Sequence, residues 1–192
     1  MEAFWWSTGV VALGEMGDKT QLLALLLAAR FRRPWPIVSG IALATLANHA
    51  MAGLLGHWVA RWLGADLLRW VVGLGFLAMA LWMLVPDRIE AGGAERRRSF
   101  GVFATTVVAF FIAEMGDKTQ IATVALAARH PELAAVVLGT TFGLLLANVP
   151  VVFAGDRLLR RVSMPVLHRL AALLFALMGL LALLNVGGVA AA

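Results

Sequence analysis

Apolar residues run through this chain in six long segments, most of them close to or beyond the roughly 20 residues that cross a bilayer core of about 30 Å. The predicted spans cover about 4–29, 36–62, 67–85, 100–128, 133–154 and 166–186. Short polar stretches separate them. Arg30, Arg32, Arg33 and Pro34 close the first span; Pro86, Asp87 and Arg88 close the third, and a polar connector with Glu90, Gly92, Gly93, Glu95 and Arg96, Arg97 and Arg98 follows. Trp5, Trp6, Trp35, Trp58, Trp62 and Trp70 fall near predicted span ends, as interfacial aromatics do. The chain therefore reads as an all-α integral membrane protein of six transmembrane helices.

Two polar interruptions break the pattern. Glu15-Met16-Gly17-Asp18-Lys19-Thr20-Gln21 recurs without change as Glu114-Met115-Gly116-Asp117-Lys118-Thr119-Gln120, 99 residues on, and each copy sits in the middle of an apolar segment. The offset continues past the motif without a gap. Leu27 to Arg30 repeats as Leu126 to Arg129, and Gly40, Gly56, Arg61, Phe76 and Met79 match Gly139, Gly155, Arg160, Phe175 and Met178. Each repeat holds three spans, giving a first unit over 1–86, a connector over 87–99 and a second unit over 100–192. An odd span count turns the second unit upside down relative to the first, the inverted arrangement of many transporters.

Composition adds direction. Hydrophobic residues make up 61% of the chain and charged residues 14%, against roughly 25% in soluble domains. Of the sixteen Lys and Arg, eleven lie in connectors after odd-numbered spans: Arg30, Arg32, Arg33, Arg88, Arg96, Arg97, Arg98, Arg157, Arg160, Arg161 and Arg169. Three, Arg61, Arg69 and Arg129, lie in the opposite connectors. The bias puts the odd connectors in the cytoplasm and both termini outside. It also accounts for the net charge of +5 without nucleic acid. The absence of cysteine excludes disulfides and thiolate metal sites, and P-loop and dinucleotide glycine patterns are missing. The first segment lacks a basic n-region and reads as a retained span.

Charge inside a span costs about 2.5–3.5 kcal/mol per residue on insertion scales, so each septet asks for a function. On a continuous helix Glu15 and Asp18 share a face, as do Glu114 and Asp117, and Gln21 and Gln120 lie close to it. Gly17 and Gly116 are expected to admit a neighbouring helix. Four carboxylates and two ammonium groups leave two negative charges, which one divalent cation or two protons would neutralise. The expected ligands are Glu15, Asp18, Glu114 and Asp117, with Thr20, Gln21, Thr119 and Gln120, supported by Gly17, Lys19, Gly116 and Lys118. An all-oxygen set suits Ca²⁺, Mn²⁺ or Mg²⁺. Met16 and Met115 are the only soft atoms in the motifs. His49 aligns with Asn148, so spans two and five each offer one polar group at the same depth. His49 reads equally as a proton acceptor, a Mn²⁺ ligand or a bundle hydrogen bond. The bland alternative for the motif is that Glu15–Lys19 and Glu114–Lys118 are i, i+4 pairs gluing the bundle.

Two copies of E-x-G-D-[KR]-[ST], one per three-span half, resemble the small cation/proton antiporters of bacteria, chloroplasts and the Golgi that move manganese and calcium. The stretch Gly139-Thr140-Thr141 with Asn148-Val149-Pro150 also looks like that family. The resemblance covers essentially the whole chain. It implies no enzymatic activity, no prosthetic group, residence in the bacterial inner membrane and export of Mn²⁺ or Ca²⁺ from the cytoplasm against protons. It carries Glu15, Gly17, Asp18, Lys19 and Thr20 with Glu114, Gly116, Asp117, Lys118 and Thr119. The connector here is short and mostly basic where some relatives have longer acidic loops. Rival readings are a six-span exporter of small organic solutes such as basic amino acids, an intramembrane aspartyl protease using Asp18 and Asp117, and a passive cation channel.

Overall fold

The computed structural model describes residues 1–84, 101–154 and 164–184. The connector 87–99 and Arg157, Arg160 and Arg161 lie outside the described residues. Eight α-helices account for the described chain, and it contains no strand: α1 Glu2–Glu15, α2 Lys19–Phe31, α3 Pro34–Trp62, α4 Ala65–Met83, α5 Val102–Glu114, α6 Lys118–Arg129, α7 Leu133–Ala154 and α8 Met164–Leu183. Three segments are long and apolar enough to cross a membrane, Pro34–Trp62, Asp66–Met83 and Leu133–Ala154. Val102–Glu114 and Arg169–Leu183 are shorter apolar stretches.

The boundaries follow from local chemistry. Arg32 takes a left-handed backbone (φ 51°) and its N–H bonds the Ala28 carbonyl, which ends α2. Proline opens α3 two residues later, where its missing N–H costs nothing. The segments read as single spans at 4–29 and 100–128 are each two helices. Both break inside the septet, α1 from α2 and α5 from α6. The apolar runs on either side are long enough to read as one span, and nothing in their spacing marks the break between them.

Glycine sets how closely the helices cross. A Cβ at Gly139 on α7 would stand 2.4 Å from the Phe4 carbonyl oxygen and 3.0 Å from Ser7 Cβ on α1. A Cβ at Gly40 on α3 would stand 2.7 Å from Thr106 Cβ and 3.0 Å from the Phe103 carbonyl oxygen on α5. These two contacts are the same contact moved by 99 residues. Small residues at such crossings let backbones meet and dispersion build up, which is the main attraction between helices in lipid. Side-chain hydroxyls contribute too: Thr8 donates to the Gly139 carbonyl at 3.1 Å.

The buried apolar residues form two clusters. One joins Ala3 and Val10 of α1, Ala122 and Leu126 of α6, and Val136 of α7 to the α4–α8 pair, including Phe76, Met79, Phe175 and Met178. Phe76 and Phe175, mutual counterparts at the 99-residue offset, stack with centroids 6.1 Å apart. The other joins Val11, Ala24, Leu27, Ile37, Ile41, Ala44, Phe110, Leu144 and Val152, without a residue of α4 or α8. The α4–α8 pair thus leans on α6 and α1 rather than on α2 and α5. The six tryptophans noted near span ends are all well exposed, as lipid-facing or interfacial rings would be.

Gly139→Val forces α1 and α7 apart and is expected to lower the thermal unfolding midpoint of the detergent-solubilised protein by several degrees. Gly9→Ala, where a Cβ meets nothing within 4 Å, is expected to leave it within a degree or so, the range of a neutral surface change.

Candidate metal site

Each septet folds into the same break. Met16 is extended (φ −66°, ψ 115°), Gly17 takes φ 85°, and Asp18 is extended (φ −82°, ψ 169°) as the residue that opens α2. Met115, Gly116 (φ 75°) and Asp117 repeat those angles closely. Gly17 and Gly116 therefore both serve the positive φ, and at Gly116 close helix approach is not the reason, since a Cβ there meets nothing within 4 Å. The free glycine N–H is satisfied locally. Gly17 donates to Gln21 Oε1 at 2.9 Å and Gly116 to Gln120 Oε1 at 2.7 Å. Gln21 also donates from Nε2 to the Ala147 carbonyl at 2.9 Å. Both glutamines, expected as ligands, are instead engaged in holding the breaks.

The break changes the charge pairing. Glu15 ends α1 and Asp18 begins α2, so they are not i, i+3 neighbours on one helical face, nor do Glu15 and Lys19 share one at i, i+4. The pairs cross between copies instead. Lys19 Nζ stands 3.2 Å from Asp117 Oδ1, and Lys118 Nζ stands 3.7 Å from Asp18 Oδ1. Lys118 is 2% exposed and Lys19 33%. A charge removed from water in this way must be paired to be tolerable.

One oxygen each from Glu15, Asp18 and Asp117 lie within 4.8 Å of one another, and all three residues are buried. The Thr20 hydroxyl donates to the Glu15 carboxylate. Thr119 and Asn148 lie against the same carboxylate, and Asn148 Oδ1 finds no hydrogen-bond partner. Buried oxygens of this kind are normally satisfied, and several converging on one point form a donor set for a hard cation. Glu114 stands outside the group of three. It is within electrostatic reach of Glu15 and Asp117, and its Oε2 lies 4.0 Å from His49 Nε2. The expectation of four equivalent carboxylates becomes three together and one beside a histidine. Met115 is 56% exposed and does not turn inward.

Asn48 donates from Nδ2 to the Phe111 carbonyl at 3.0 Å, and Asn148 to the Leu144 carbonyl at 3.1 Å. The sequence reading passed over Asn48 as more than a neighbour of His49. Its signal was a second polar residue in the centre of an apolar span. Two cavities of about 470 and 260 Å³ lie away from the acidic cluster. The larger is lined by Glu2, Trp5, Trp6, Gly9, Val10, Leu13 and Leu174, and the smaller by residues of α3 and α6 around Gln120. Neither reaches a motif carboxylate.

The comparisons with known proteins agree in kind. The family model described as "Divalent cation/proton antiporter GDT1" matches residues 3–91 and 102–188. A protein of Vibrio cholerae serotype O1 named "Putative manganese exporter" is 50% identical over 175 residues, covering 91% of this chain and 86% of its own length. A GDT1-like protein of Synechocystis is 27% identical over 189 residues (88% and 90%), and GDT1-like protein 4 of Oryza sativa subsp. indica is 28% identical over 199 (91% and 70%). No solved structure matches.

Because Lys118 is buried against Asp18, Lys118→Met is expected to cost on the order of 3–5 kcal/mol in folded-state stability, the range for breaking a buried pair. The double variant Lys118→Met with Asp18→Asn should recover much of that loss. Denaturation of the single and double variants in the same detergent measures the coupling.

Proposed function

The chain belongs to the GDT1 divalent cation/proton antiporter family, and from that premise we propose that it exports Mn²⁺, Ca²⁺ or both from the cytoplasm in exchange for protons. The observation that carries the reading is the convergence of Glu15, Asp18 and Asp117, drawn from both motif copies, on one point. A family of transporters is not a family of enzymes. The crossed lysine pairs also argue against an aspartyl protease, whose dyad must share a proton.

In this reading the bundle has six spans. The α1–α2 and α5–α6 pairs each form one broken span, and α3, α4, α7 and α8 supply the others. Repeats 1–86 and 100–192 are inverted about the connector 87–99, in the cell membrane of a bacterium, with both termini extracytoplasmic. The matched glycine contacts and crossed ion pairs support the two-fold relation. Glu15, Asp18 and Asp117 are the core ligands, Glu114 joins them, and Thr119 adds a hydroxyl. The C-terminal carbonyls of α1 and α5 face a cation favourably, and Gln21 and Gln120 keep the breaks open to it. Thr20 orients Glu15. Protons and the cation compete for the same oxygens, so protonation from one side displaces the metal that was bound from the other.

Alternating access follows from which half-helices the α4–α8 pair covers. Here it packs on α1 and α6, the extracytoplasmic halves of the broken spans, and leaves α2 and α5 uncovered. Lys19, at the head of α2, keeps a third of its side chain exposed while Lys118 keeps almost none. In this reading the buried site is sealed more heavily on its outward side than on its inward side. Its mirror state moves the pair onto α2 and α5.

In proteoliposomes with an imposed pH gradient, Mn²⁺ and Ca²⁺ flux is expected to fall at least about 100-fold in both Asp18→Ala and Asp117→Ala, as for loss of a direct metal ligand. Unchanged flux in both would sink the site. A second test uses the absence of native cysteine. Leu13 and Leu174 line one groove between α1 and α8. Their double cysteine variant, joined by a short bifunctional thiol reagent, is expected to stop transporting, whereas the untreated variant transports. Full activity after cross-linking would rule out the rocking of α8 away from α1.

A further inference from the structure

The two half-sites repeat each other in carboxylate, lysine and threonine, and differ in the buried residue that faces the glutamate. At the 99-residue offset His49 on α3 stands where α7 carries Asn148. Both side chains are fully buried. Each faces the glutamate at the end of a half-helix: Asn148 lies against Glu15, and His49 Nε2 is 4.0 Å from Glu114 Oε2. Neither ring nitrogen of His49 has a hydrogen-bond partner, and neither carboxylate oxygen of Glu114 has one. Groups so buried are normally satisfied, and these two are left facing each other.

The separation is informative. An N–H···O bond spans about 2.7–3.2 Å, so 4.0 Å is too long for one. A carboxylate oxygen and an imidazole nitrogen that share a cation each stand about 2.0–2.2 Å from it, and can lie that far apart. Glu114 in turn is within electrostatic reach of Glu15 and Asp117. His49 on α3 and Glu114 at the end of α5 therefore lie beside the cluster of Glu15, Asp18 and Asp117, with the ring nitrogen available as a ligand.

We propose that His49 is a nitrogen ligand to the transported ion and sets the preference of the site for manganese over calcium. This rests on the reading of the acidic cluster as the cation site. The remaining donors are oxygens, which hold Ca²⁺ and Mn²⁺ alike. Imidazole is a poor partner for calcium and a good one for first-row transition metals. Asn148 supplies an amide oxygen at the equivalent place and leaves the first half-site hard. The asymmetry lets one nitrogen tune selectivity while the carboxylates keep the charge balance.

His49→Asn puts an asparagine opposite the glutamate in both half-sites. In proteoliposomes its KM for Mn²⁺ is expected to rise about 10-fold or more, while the KM for Ca²⁺ changes less than about 2-fold. The reciprocal Asn148→His adds a second nitrogen and should shift the ratio the other way. Full-length protein loaded with Mn²⁺ alone should show ¹⁴N modulation in pulsed electron paramagnetic resonance that His49→Asn lacks. This spectrum decides the matter even if a variant transports poorly, since the wild-type signal is read directly. An unaltered manganese-to-calcium ratio, a wild-type spectrum without the nitrogen coupling, or a shifted pH profile at constant ratio each overturns the proposal. The last of these would make His49 a proton carrier. Failure of the antiporter reading looks different: the wild type would then neither bind nor carry either metal.

Discussion

Each motif's lysine neutralises the other motif's aspartate, and the rest of the structure depends on that exchange. Six ionisable side chains sit near the middle of an apolar bundle, where every unpaired charge carries a large desolvation cost. Pairing within one septet would leave two self-sufficient halves. Pairing across them, Lys19 with Asp117 and Lys118 with Asp18, obliges both breaks to come together. The glycine crossings of α1 with α7 and α3 with α5 then fix how near they can come. The two uncompensated carboxylates are left where a divalent cation can replace the missing charge.

Much of this was legible along the chain because apolar length and exact repetition are strong signals. Pro34 and Leu133 mark real helix starts, and the septets mark where polar chemistry enters. The break itself was not visible as periodicity, since one residue at positive φ leaves the apolar pattern on both sides intact. A local cue existed: Asp18 and Asp117 each follow a glycine and precede a helical run, the arrangement of a residue that opens a helix. Treating the septet as continuous helix put Glu15 and Asp18 on one face and paired Glu15 with Lys19, and both inferences fell with the helix. The structural role of the glutamines was hidden for the same reason, because the glycine N–H that each satisfies is free only when the helix is broken. Crossed pairing and the separate place of Glu114 beside His49 are relations in space that no spacing in the sequence encodes.

Identity of sequence in the motifs coexists with inequality of environment. Lys19 and Lys118 occupy equivalent positions and differ widely in exposure, and the α4–α8 pair covers only one set of half-helices. An inverted duplication can adopt two such unequal packings that are mirror images in role, which is how a repeat becomes a device for exposing one site to two sides.

The central claim is that the two septets make one site between them. Equilibrium binding of Mn²⁺ to the purified full-length protein, counted per chain, tests it most directly. The account predicts one ion per chain for the wild type and none of comparable affinity when either Asp18 or Asp117 alone is replaced by alanine. Two ions per chain, or full-affinity binding that survives the loss of one aspartate, would contradict it.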